Sequence, residues 1–184
     1  MLPITIVLTT TCSGERIGKQ LCEGLSDLST LTSLELKFDG GEMSIFAWKE
    51  LARVPVLASL QALHLEESDL YMHDLVAFVL KHCNTLTSLK LVSLEFWDGS
   101  IDDMRNLLKN LQTSSNLERW ESDSLFLEGA FIDFPEVSTL GPGDIRDEDD
   151  YLWLRMSAKV FLHGAEEVGH GLRQMVQCIE AVGH

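Results

Sequence analysis

At 184 residues, with 45% hydrophobic and 23% charged residues, the chain has the composition of one globular domain. It is long enough to bury roughly 70% of its unfolded surface without disulfides or metal as staples. Lys and Arg number 14 against 29 Asp and Glu. The resulting net charge of −15 argues against a nucleic-acid or anionic-membrane binder, which needs a basic face, and predicts neutral or basic partners.

The N-terminus, MLPITIVLTTTCSGER, has a short apolar part and no basic region before it, so it reads as a strand and not as a signal peptide. No window approaches the length of a membrane-spanning helix. Cys12, Cys22, Cys83 and Cys178 show no CxxC or other metal-ligand spacing. They read as free thiols of a cytoplasmic or nuclear protein, with Cys83 on the apolar stripe of a helix. A secreted chain would leave room for one disulfide.

A repeat organises the chain. Leu31-Thr-Ser-Leu34-Glu-Leu36, Leu60-Gln-Ala-Leu63-His-Leu65 and Leu86-Thr-Ser-Leu89-Lys-Leu91 share the pattern LxxLxL. Pro3-Ile-Thr-Ile6-Val-Leu8 precedes them and the weaker Leu117-Glu-Arg-Trp120-Glu-Ser122 follows. The middle anchors at 6, 34, 63, 89 and 120 are 28, 29, 26 and 31 residues apart. Helical i, i+3, i+4, i+7 stripes follow the first four strands, over 16–25, 45–54, 74–83 and 101–111. Ser13, Ser44, and Ser100 with Asp103 three residues on, signal helix starts.

Each unit is therefore a short strand, a loop and a helix of about three turns. One unit cannot bury both its strand face and its helix stripe; stacked neighbours can, so the expected fold is an α/β solenoid with strands on the concave face. A doubly wound α/β domain is the alternative, disfavoured because its strands would be continuously apolar. Repeats are expected over 1–134, and an acidic loop with a degenerate C-terminal cap over 135–184. Gly141-Pro142-Gly143 and Asp147-Glu148-Asp149-Asp150 read as a solvated loop, 151–162 as an apolar strand or buried helix, and 166–182 as a helix.

The blocks TLTSLELKFD and SLQALHLEESDLYMHDLVAFVLKHCNTLTSLKL resemble intracellular leucine-rich repeats of the ribonuclease-inhibitor-like kind. The phrase FVLKHCNTLTSLKL resembles the repeat region of fungal F-box proteins. The resemblance implies a non-enzymatic protein-interaction module that reads substrates for a ubiquitin ligase, with an adaptor contact only where an upstream F-box exists. The polar position nine residues into the motif is filled by Thr11, Asp39, Ser68, Leu94 and Leu125, so the repeats are degenerate.

Because strand side chains alternate, residues beside the core leucines face the concave side. The expected partner-binding surface is Ser33, Glu35 and Lys37; Ala62, His64 and Glu66; Ser88 and Lys90; and Arg119 and Glu121. Thr5, Val7, Thr9, Val92 and Asp123 continue it. A mixed polar strip without an aromatic ladder suits a protein partner. His64 has no visible partner in the sequence, Trp97 is expected to point outward and Trp120 inward. No catalytic or cofactor motif is present, and none is expected. The alternatives are a small α/β enzyme or metal-binding protein using His163, His170 and Cys178, and a secreted recognition repeat.

Overall fold

The computed structural model describes residues 4–10, 19–20, 23–25, 28–38, 42–114, 116–127, 130–131 and 160–182. The chain is α/β, with one open, mixed sheet. Its strands are β1 (Ile4–Thr10), β2 (Leu31–Phe38), β3 (Ala62–Leu70), β4 (Ser88–Phe96), β5 (Arg119–Leu127), β6 (Ala130–Phe131) and β7 (Val160–His163). Its helices are α1 (Glu42–Leu51), α2 (Met72–His82), α3 (Ile101–Ser114) and α4 (Ala165–Val182). Residues 19–20 and 23–25, inside the first expected helix, are helical as well. Strands β1 to β5 are parallel and lie in chain order. A doubly wound sheet would reverse its order, and this one does not.

The leucine motif sets the register. Ile6, Leu34, Leu63, Leu89 and Trp120 are partners across the five parallel strands, and Leu8, Leu36, Leu65, Leu91 and Ser122 form the next row. From β2 to β5 every member of these two rows is buried. The leading residues Leu31, Leu60, Leu86 and Leu117 are buried too, at the turn into each strand. The opposite faces of β2, β3 and β4 are half-buried and polar, the alternation of a sheet covered on one side. Apolar stripes of the helices close the core with Trp48, Phe78, Leu107, Leu108 and Leu172, and Trp48 meets Phe78 edge to face.

Trp120 and Ser122 show how the last motif departs from LxxLxL without losing its place. The indole fills a leucine slot, and Ser122 takes the next leucine's position with its hydroxyl 3.0 Å from Trp120 Nε1. A larger residue and a smaller one share the volume, and the buried indole N–H is satisfied by the Ser122 hydroxyl.

A second periodic feature has no composition signal. Glu67, Ser93 and Ser124 all adopt left-handed backbone, with φ of 51°, 52° and 51°. Pairing runs Glu66 to Val92 to Asp123 and resumes at Ser68 to Leu94 to Leu125, skipping these three. The stacked bulges shift the alternation by one residue. That shift turns Ser68, Leu94 and Leu125 inward, where all three are buried. Ser68 donates its hydroxyl to the Glu66 carbonyl at 3.0 Å, while Leu94 and Leu125 fill the same slot as core side chains.

Neighbouring units are tied by side chains at the helix ends. Lys81 donates to the Ala52 and Val54 carbonyls at 2.7 and 2.8 Å, capping the C-terminal end of α1 from α2. His82 is buried: its Nδ1–H donates to the Phe78 carbonyl at 2.8 Å and its Nε2 accepts the Leu57 N–H at 3.0 Å. These two bonds fix one neutral tautomer. Asp98 reaches back to accept the Met72 N–H at 2.9 Å and also binds His73, capping α2 from the following unit. In α3 the expected capping box is present, with Ser100 and Asp103 bonded reciprocally.

Two readings are corrected. Cys83 is not a core thiol; it is half-exposed at the end of α2, and the stripe runs through Met72, Leu75, Phe78, Val79 and His82. Helix α1 begins at Glu42, two residues before the expected cap Ser44. Of the 151–162 stretch, left open between strand and helix, residues 160–162 belong to β7, and 151–159 lie outside the described residues. Ser13, Thr11, Asp39 and the acidic run 147–150 lie outside the described residues.

The parallel series ends at β5. Its outer edge is covered by two antiparallel pieces, β6 and β7. Helix α4 then packs on α3 and β7. Gly171 permits this: a Cβ there would stand 2.3 Å from the Leu162 side chain.

Burial holds the His82 imidazole below its usual 6.5. As the pH falls below 6.5 the unfolded chain takes up a proton that the folded imidazole refuses, so stability is full above that pH and declines beneath it. His82→Ala should cost about 2–4 kcal/mol, since it opens a cavity and orphans the Leu57 N–H, and should flatten the acid side of the stability profile in urea titrations. At the bulges, Ser93→Gly and Ser124→Gly should each raise the urea-unfolding free energy by about 0.5–1 kcal/mol, and Ser93→Val should lower it.

Candidate protein-recognition face

The outward positions of the strands form rows as regular as the core rows. Ser33, Ala62, Ser88 and Arg119 are register partners; so are Glu35, His64, Lys90 and Glu121, and so are Lys37 and Glu66 with Val92 and Asp123 beyond. All ten expected binding residues are thus on one face. Thr5, Val7 and Thr9 hold the matching register positions on β1. Nine of the ten are half-buried or exposed. Glu121 departs from the expectation: its residue is only 9% exposed, walled in by β4 and β7.

Packing strands at about 4.8 Å brings opposite charges into reach along each row. Lys37 Nζ lies 2.8 Å from Glu66 and 3.0 Å from Glu67. Hydrogen bonds to these carboxylates push the Lys37 ammonium up and pull the Glu66 carboxyl down. Lys90 Nζ lies 3.3 Å from Glu121. His64, without a partner in the sequence reading, lies between two carboxylates: Nδ1 is 3.4 Å from Glu35 and Nε2 3.4 Å from Glu66. Burial first, then Lys90, lowers its pKa despite those carboxylates. The middle row therefore reads anion, neutral imidazole, cation, anion. Sequence adjacency hides this ladder, because its members are 26 to 31 residues apart; stacking the LxxLxL motifs reveals it.

The remaining candidates are dispersed. Trp97 is 47% exposed, as expected, in the turn after β4, and Trp120 is in the core. His163 and His170 border one shallow cleft with Glu166 and Glu167 between β7 and α4. Cys178 is eight residues beyond His170 on the same helix, about 12 Å along its axis. Among the described residues no three His, Cys, Asp or Glu side chains are grouped to hold a metal ion, and no helix is long and apolar enough to cross a membrane. The cysteine at 178 and the histidine at 184 have no described side chain.

The comparisons with known proteins add no relative: no family model, no curated protein and no solved structure matches the chain.

The sequence leaves β7 open between strand and helix and does not place it beside β5. The strand adds Phe161 opposite Glu121 and His163 opposite Arg119, extending two outward rows by one position each. A four-residue strand beyond the last repeat has no LxxLxL signature to announce it.

The Lys90–Glu121 pair is the buried end of the ladder, with side chains 33% and 11% exposed. Lys90→Ala should cost about 1–3 kcal/mol by leaving the Glu121 carboxylate poorly solvated, and adding Glu121→Gln should recover part of the loss. A double-mutant cycle in urea measures the coupling; strict additivity would remove the pair from the stability account.

Proposed function

We propose that the chain is a non-enzymatic protein-recognition module, a short leucine-rich-repeat solenoid that binds its partner on the outward strand face. The observation that carries this reading is the ladder Glu35–His64–Lys90–Glu121 with its flanking rows: a broad, ordered, polar surface held in register by the core. Fixed charges at 4.8 Å steps suit a protein surface or segment, which presents complementary groups at comparable spacing. By its resemblance to the repeat region of fungal F-box proteins, the module reads substrates for a ubiquitin-ligase assembly. Any adaptor contact then belongs to an F-box segment outside these repeats.

The face is tested by affinity capture of the tagged chain from its native cell extract, with Glu35→Gln/His64→Asn run beside it. Both substitutions stay off the core, so the thermal midpoint should move by no more than a few degrees. One protein should be enriched about ten-fold or more by the unaltered chain over the variant. Equal enrichment by both would remove the face from recognition; a ubiquitin-ligase adaptor among the enriched proteins would place the module in that assembly.

A further inference from the structure

We propose that β7 makes the end of this face an anchor site for a basic, extended protein segment that carries one large apolar side chain. The inference rests on the recognition reading and names the chemistry of the partner. Directly paired strand residues put their side chains on the same side of a sheet. Phe161 is the register partner of Glu121, and its neighbours Val160 and Leu162 are the partners of Ser122 and Trp120. Burial follows that alternation: Val160 and Leu162 are 1% and 7% exposed, Phe161 53%. Phe161 thus stands on the outward face, at the end of the row Glu35, His64, Lys90, Glu121. Folding does not require a phenyl ring there, since the core is closed by the residues on either side. A half-exposed aromatic ring rimmed by polar groups is the kind of residue in which interfaces concentrate their binding energy.

Charge selects the partner. Toward the C-terminal ends of β3, β4 and β5 the outward residues are Glu66, Asp69, Glu95 and Asp123, with the left-handed Glu67 beside them. Among the described residues, Lys37 is a cation at that edge, and it is bonded to Glu66 and Glu67. Lys90 is paired with Glu121. The net charge of −15 adds long-range attraction for a cationic partner. The chain's own Asp147-Glu148-Asp149-Asp150 has the sign of the face and so is no complement to it. From β7 across to β3 is about 14 Å at the usual strand spacing, the reach of roughly four extended residues. One segment can therefore set an apolar side chain on Phe161 and cations against the acidic edge.

The test uses the full chain and three short fluorescein-labelled synthetic peptides. The first alternates Lys and Ser around one central Trp; the second has Ser for that Trp; the third has Glu for every Lys. Fluorescence anisotropy should show the first binding, the second about ten-fold weaker or more, and the third not binding. Phe161→Ser should weaken the first peptide about ten-fold and leave the second unchanged. Glu95→Gln/Asp123→Asn should weaken both and flatten the salt dependence. Phe46→Ser, at an exposed aromatic on α1, should change neither. Failure of the first peptide to bind, equal binding of the acidic one, or indifference to Phe161→Ser would overturn the proposal. Sedimentation showing Phe161-dependent self-association would overturn it too, by making a second copy the occupant. If capture in cell extract still depends on Glu35 and His64 but not on Phe161, the recognition reading stands and the anchor falls.

Discussion

Everything in this structure depends on a strand that is apolar on one face only. An LxxLxL segment places two leucines inward with a polar residue between them, and no single strand–helix unit encloses those leucines by itself. Stacking in register is the available solution: Leu34 lies beside Leu63 and Leu63 beside Leu89, and each gains the burial its own unit lacks. The same requirement fixes the opposite face. A one-residue slip would turn Glu35, His64 and Lys90 into the core, at a cost of several desolvated polar groups. Core register and surface register are therefore one constraint, and the charge ladder is as ordered as the leucines beneath it.

That constraint also explains what was legible in the sequence. Leucine offsets and helical stripes carry a burial signal, so β2 to β5 and the helices α2, α3 and α4 could be placed from residues alone, and with them the outward rows. Features that depend on geometry without a residue preference were not legible. The left-handed residues are Glu67, Ser93 and Ser124, none of them glycine. The buried residue at the end of α2 is His82 and not the more apolar Cys83, because an imidazole reaches two backbone groups, Phe78 O and Leu57 N, that a thiol could not satisfy together. Glu121 was read as exposed because the strand that shields it, β7, comes 39 residues later and outside the repeat.

The inter-unit ties follow a common logic. Stacked units leave helix ends and loop backbones facing one another, and each unsatisfied group there would cost roughly 1–3 kcal/mol if buried unpaired. Lys81 supplies two carbonyls of the preceding unit, His82 supplies a preceding N–H, and Asp98 supplies the first N–H of the helix before it. Each tie reaches back to the preceding unit, so an inner unit both supports the one before it and leans on the one after it, and its loss exposes polar groups in two neighbours. Cooperativity in such an array comes from these shared polar groups as well as from shared apolar area.

The end of the sheet shows the cost and the use of finishing a stack. A parallel series leaves β5 with an unpaired edge, and a further parallel unit would only pass that edge outward. Reversing direction ends the series, since β7 lies antiparallel over the first half of β5 and β6 over its last residues. Closure on the inward side needs small and apolar groups in tight contact, hence Leu162 against Gly171. The outward side of β7 carries no such demand, because nothing in the core reaches it. Residues there are free of the packing constraint and of the leucine period, and that freedom lets an aromatic side chain occupy a polar row. A capping strand is thus a position where recognition can be varied without disturbing the stack that presents it.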